Sequence, residues 1–265
     1  MAVSSTSYFS NASPGELQLF KGNIFVSETS PSYAVGTRVS LQDGRVFRYS
    51  HFGAAVNRGL VVSQDLSESA VVDTDNAVIA PASAVSVAGE VIQPGAINSR
   101  FVQLTLASVT ANQFAGGYLH ITDDTGEGFT YRIKGNTATG DPATGDIRLE
   151  LNDRLQVALD ATSDIAITGS LYANLEAATQ ATDEVIAGVS VATQAAADYG
   201  FIQTQGVATV LTDGTVVIAD RVAVGTVAGS AAAVAATVST TVSFGQVIHV
   251  GDDTGHSAIN LNIAS

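Results

Sequence analysis

The sequence predicts an all-β protein, built as short-stranded β-sandwich or barrel modules behind an extended N-terminal arm. Three observations predict it. Short β-branched or aromatic runs recur between Gly, Asp, Asn and Pro, which is the pattern of strands bounded by turns. Two Asp-Gly pairs, Asp43-Gly44 and Asp213-Gly214, mark hairpins, since both residues tolerate positive φ. Helical stripes are nearly absent. Only the alanine-rich stretches Ala173–Thr182 and Ala231–Thr237 invite short helices, and neither is amphipathic.

Residues 1–44 read as the arm. Ser, Thr, Asn, Pro and Gly dominate, punctuated by Tyr8, Phe9, Leu17, Leu19, Phe20, Ile24, Phe25, Val26 and Tyr33. Such a segment carries too little apolar sequence to fold alone and orders only against another surface. Tyr8, Phe9, Leu19, Phe20, Ile24, Phe25 and Tyr33 are therefore the candidate interface residues. Deleting residues 2–30 is expected to leave the β body folded while weakening its attachment to a partner. Residues 45–98 form a first β segment, opened by the alternating run Arg45–Ser50. Residues 99–175 form a middle β domain, with strands expected at Phe101–Leu106, Tyr118–Ile121, Phe129–Lys134, Ile147–Leu151 and Ile165–Thr168. Residues 176–265 form a C-terminal β segment expected to pack with 45–98. Its strands are Val185–Val191, Tyr199–Thr204, Val216–Ile218, Val247–Val250 and Ser257–Ile263.

Composition narrows the function. Charged residues make up 14%, roughly half the usual share, so small polar residues or partner chains must cover much of the surface. The formal net charge of −14 disfavours nucleic acid and anionic membranes as partners. No cysteine is present, which excludes disulfides and thiolate metal sites. The start of the chain lacks the basic and apolar regions of a signal peptide, and no apolar run is long enough to span a bilayer, which points to synthesis in a cytoplasm.

One motif occurs twice. Tyr118–Gly126 (YLHITDDTG) matches Val247–Gly255 (VIHVGDDTG), with His120 and His249 lying 129 residues apart. Each copy reads as a strand, an Asp-Asp-Thr-Gly turn and a returning strand, from either a duplication or reuse of a good turn. Asp124 and Asp253 sit in Asp-Thr-Gly triplets like those of aspartic proteases, whose paired carboxylates share a proton. Acidic residues Asp123 and Asp252 precede the triplets where that family has apolar ones, and Glu127 and His256 follow where it has Ser or Ala. The expected role of Asp124 and Asp253 is therefore turn capping. His120 and His249 lack the three or four convergent ligands of a zinc site, and the acidic turns match no EF-hand spacing. No nucleophile elbow or phosphate loop occurs. The chain reads as non-enzymatic, without catalytic residues, metal or cofactor.

Three segments carry a family likeness. Leu41–Tyr49 followed by Ser50-His51-Phe52-Gly53 resembles a DGRxFRYxxxG segment near the start of virion structural proteins of tailed bacteriophages, many of them aquatic. Asn112–His120 running into Gly126–Lys134 is similar to the middle segment of those proteins, and Tyr199–Ala208 with Leu211–Thr215 to a third. The resemblance implies a capsid decoration (cement) protein made in the host bacterial cytoplasm and carried on the virion surface. Its partners would be the major capsid protein and copies of itself, and three-fold capsid sites make a homotrimer the natural assembly. A tail, head-fibre or vertex component is the alternative, as is a glycan-binding module. The absence of Trp weighs against the last.

Overall fold

The computed structural model describes residues 23–65, 72–74, 85–87, 90–92, 95–106, 109–140, 146–180, 184–234, 243–252 and 255–263. The fold is all-β, and no helix occurs among the described residues. The chain divides into two compact units, residues 67–170 and residues 1–66 with 171–265.

The larger unit begins with Ser27–Glu28 (β1), Arg38–Ser40 (β2), Val46–His51 (β3) and Val61–Asp65 (β4). The chain then builds the smaller unit from Val72–Thr74 (β5), Val85–Val87 (β6), Glu90–Ile92 (β7), Phe101–Thr105 (β8), Tyr118–Asp123 (β9), Thr130–Asn136 (β10), Asp146–Leu151 (β11) and Asp164–Thr168 (β12). It returns to the larger unit with Leu175–Ala177 (β13), Glu184–Ser190 (β14), Tyr199–Leu211 (β15), Arg221–Val224 (β16), Ala231–Ala233 (β17), Gly245–His249 (β18) and His256–Asn262 (β19).

In the smaller unit a six-stranded antiparallel sheet runs β5-β12-β9-β10-β11-β8, beside a separate β6-β7 pair. The alternation read from the sequence is realised directly. Along β10, Tyr131 and Ile133 are buried while Thr130, Arg132 and Lys134 face out. Leu119, Ile121, Leu149, Ile165 and Ile167 join them in one core. The middle unit starts at residue 67 rather than 99, and ends at 170 rather than 175. The cause is pairing: Val72–Thr74 lies antiparallel on Ile165–Ile167, while Leu175–Ala177 lies on Val62–Gln64.

In the larger unit an antiparallel sheet of eleven strands curls like a half-barrel. Its spine is β15, paired with β3 from Tyr199 to Gln205 and with β19 from Gln205 to Leu211. The segment after Gly44 and the C-terminal segment thus share one sheet. The Asp43-Gly44 turn joins β2 to β3, with Gly44 at φ 87° and its N–H bonded to Leu41 O at 3.1 Å. Asp213-Gly214 is not a hairpin. Its carboxylate instead accepts hydrogen bonds from Thr226 N and Val227 N and from the Thr226 hydroxyl, capping a loop thirteen residues downstream.

Three further expectations are corrected. Ala173–Thr182 holds β13 and Ala231–Thr237 holds β17, so strand pairing overrides alanine's helical preference. Val216–Ile218 is a turn, closed by Val217 N to the Asp220 carboxylate at 2.8 Å and Asp220 N to Val217 O at 3.1 Å.

Residues 23–44 are part of the larger unit rather than an arm. Ile24 is buried with Val39, Phe47, Tyr49 and Phe201, and Tyr33 packs against the same cluster. β1 pairs with Tyr199-Gly200. The Tyr49 hydroxyl donates to Glu28 at 2.6 Å and accepts from Ser32 N at 3.0 Å. Burial and the Glu28 carboxylate both push the Tyr49 phenol well above its usual range, so it stays protonated as the donor.

His51, at the end of β3, sets a pH response. Burial pushes its imidazole below the ordinary histidine value of 6.5. The ring packs tilted against Tyr199, with centroids 4.8 Å apart. The unfolded chain therefore binds a proton at a pH where the fold resists it. The His51 contribution to stability is full above about pH 6.5 and is lost as pH falls below it. Denaturation midpoints measured from pH 7.5 to 5 are expected to decline, and His51→Gln should flatten that decline.

Candidate functional site

The candidate interface residues separate into three groups. Tyr8, Phe9, Leu19 and Phe20 lie outside the described residues. Ile24 and Tyr33 are engaged within the chain, Tyr33 meeting the Tyr49 ring edge-on at 5.3 Å. Phe25 is the one described member that faces out, at 54% exposure.

Phe25 forms part of the rim of a groove of about 650 Å³ in the larger unit. The groove lies between the Asn57–Gly59 turn, the end of β14 at Val189–Val191, and β15 from Gln203 to Thr209, with Arg45 and His256 beside it. Among the described residues its lining holds no Asp or Glu. Arg45 is already paired, its Nε 2.7 Å from the Asp43 carboxylate. Burial works to raise the Asp43 carboxyl, but backbone and guanidinium hydrogen bonds from Arg45 hold it below its usual value. Arg58 is exposed, and no carboxylate among the described residues pairs with it. The His256 ring lies directly on Gly59, where a Cβ would meet it at 2.8 Å. Gly59 has φ 78°, so glycine serves both the turn and the close approach.

A second feature is apolar. The Val217-Ile218 turn sits beside β18, held by Ala219 N to Val247 O at 2.9 Å. Ile218 is 66% exposed and Ile248 44%, with Val217 and Val250 also exposed. Exposed aliphatic side chains of this kind are the raw material of contact surfaces.

The duplicated motif forms an antiparallel hairpin in each unit, β9–β10 and β18–β19. The copies differ in which face is buried. Leu119 and Ile121 point into the core as expected, but their counterparts Ile248 and Val250 are exposed. A bulge between Val247 and His249 shifts the register, so Val247 is buried instead. His120 uses both ring nitrogens within its sheet, at 3.2 Å from the Thr130 hydroxyl and 3.0 Å from that of Thr168. Asp124 does not cap its turn. The cap is Asp123, whose carboxylate accepts the Asp124 N–H at 2.9 Å, while Asp124 supplies the left-handed residue at φ 58°. Asp253 lies outside the described residues. Among those described, no three His, Asp or Glu side chains converge as a metal site.

Sequence reasoning missed Arg58, His256 and the Val217-Ile218 turn as surface features. The groove is assembled from segments as far apart in the chain as Phe25 and His256, and no local spacing encodes it. An apolar pair directly before Ala219-Asp220 reads as a strand until the Asp220 cap is seen. No protein-family model, curated protein or solved structure matches this chain.

Proposed function

We propose that this chain is a structural virion protein of a tailed bacteriophage, a decoration protein that binds the outer capsid surface and bridges capsomers, acting as a homotrimer. The observation that carries this reading is the exposed aliphatic surface of Val217, Ile218, Ile248 and Val250 on a charge-poor all-β body. A protein that attaches by surface burial needs such a patch, and interface centres are depleted in charge. The likeness of the Leu41–Gly53, Asn112–His120 with Gly126–Lys134, and Tyr199–Ala208 with Leu211–Thr215 segments to phage virion proteins supports the major capsid protein as the partner.

The test is binding of the purified chain to undecorated heads of its phage. Saturation on the order of hundreds of copies per particle is expected, as a symmetric shell requires. Ile218→Asp combined with Ile248→Asp should weaken binding about tenfold or more, since it places charge in a contact centre. Saturation at a few copies per particle, or full binding by the double variant, would overturn the reading.

A further inference from the structure

The groove in the larger unit contains an open stretch of strand edge. Asn262 N donates to Phe244 O on the β18 side, while Ile263 N donates to Thr204 O on β15, and Thr212 N donates to Gly255 O. In an antiparallel ladder, successive residues turn their amides to opposite sides. The even-numbered residues from Thr204 to Thr212 therefore face β19, and Gln205, Val207, Thr209 and Leu211 face away from it. On that far side Gln205 is matched by Val46, and Leu211 N donates to Gly59 O at 2.8 Å. Between those anchors the Gln203 side chain covers two carbonyls, its Nε2 donating to Gln205 O and Val207 O at 3.0 Å each. The N–H groups of Val207 and Thr209 meet no strand among the described residues, while Thr209 O lies against Gly59, 3.3 Å from where a Cβ on that glycine would stand.

We propose that this groove binds an extended peptide segment with an acidic side chain, which adds to the open edge of β15 at Val207–Thr209 and sets its carboxylate against Arg58. Three features select that ligand. The Val207 and Thr209 N–H groups, unpaired among the described residues, match the carbonyls of another extended backbone, the mode in which a strand is added to a sheet edge. Phe25 and Val207, the latter 50% exposed, offer apolar contact to side chains flanking the added strand. Arg58 is an unpaired guanidinium in a lining without carboxylates, and it forms charge-assisted bonds with a carboxylate placed beside it. His256, across Gly59, lies beside the same end of the groove. The site goes beyond attachment to a capsid and does not depend on it.

The probe is a capped seven-residue peptide of alternating serine and valine with a central glutamate, titrated into the isotope-labelled full chain. Amide resonances of Val207 and Thr209 are expected to shift saturably and to gain exchange protection. A peptide with central glutamine should bind about fivefold more weakly or worse, and Arg58→Gln should abolish that difference. Arg58 is exposed, so this variant keeps its fold. Absence of saturable binding, shifts confined to other residues, or an unchanged glutamate preference in Arg58→Gln would each overturn the proposal.

Discussion

Deleting residues 2–30 is expected to destabilise the larger unit by roughly 3–5 kcal/mol more than deleting residues 2–22 does. The longer cut removes Ile24 from among Val39, Phe47 and Phe201, and burial of one large aliphatic side chain contributes about 1.5–3 kcal/mol. It also removes the β1 pairing with Tyr199-Gly200. Finally, it takes Glu28 from the Tyr49 hydroxyl, a part-buried hydrogen bond contributing about 1 kcal/mol. The shorter cut ends before Asn23 and leaves every one of these contacts in place. Urea unfolding of the two truncations measures the difference. Equal stability would mean that the Ile24–Tyr33 segment does not hold the body. The shorter truncation is also the proper test of the first 22 residues as a capsid clamp, because it removes Tyr8, Phe9, Leu19 and Phe20 and keeps Ile24, Glu28 and Tyr33. Retained capsid binding by that variant would place attachment on the body.

Much of the fold was legible because it is local. Alternation in Phe101–Leu106 and in Thr130–Lys134 reports which face is buried, and Asp43-Gly44 reports its hairpin without tertiary context, whereas the strand at Val46–His51 is buried on both faces despite its mixed sequence. What stayed hidden is relational. Ile24 and Tyr33 look like arm anchors until Phe47, Tyr49 and Phe201 are brought beside them from two other strands. Val72–Thr74 has no local mark assigning it to the Asp164–Thr168 strand, so the start of the middle unit could not be placed. Asp213-Gly214 carries a hairpin signature, yet its carboxylate is occupied by Thr226 and Val227. Three hydrogen bonds, led by that from the Thr226 side chain, hold it below its ordinary value. The groove is the extreme case. Its open edge exists because β3 leaves β15 near Gln205 and the chain returns only at Gly59, and no residue in either segment announces the gap.

The duplicated motif gives the sharpest test of how far local sequence governs each unit. The copies differ at their fifth position, where Thr122 in the first stands opposite Gly251 in the second. Thr122 is an exposed residue of β9, the unmatched one at a register shift where Asp123 and Ile121 pair with Asp164 and Ile165. At Gly251 an added Cβ would lie 2.1 Å from the His256 carbonyl oxygen and 2.9 Å from its carbon. The close approach is fixed from the other side as well, since Gly251 N donates to the Ser257 hydroxyl at 3.1 Å and Ser257 is buried. Because the obstruction is backbone, no rotamer change relieves it, and the hairpin must open for any side chain to enter. Gly251→Thr, which gives the second copy the first copy's residue at this position, is therefore expected to destabilise the larger unit by roughly 2–4 kcal/mol. The reciprocal change, Thr122→Gly, should cost only about 1 kcal/mol through lost strand preference and added chain entropy. Denaturant unfolding of both variants reads the asymmetry directly. Similar costs in the two copies would show that the β18–β19 hairpin closes less tightly than described, and that the difference at this position is not imposed by the fold.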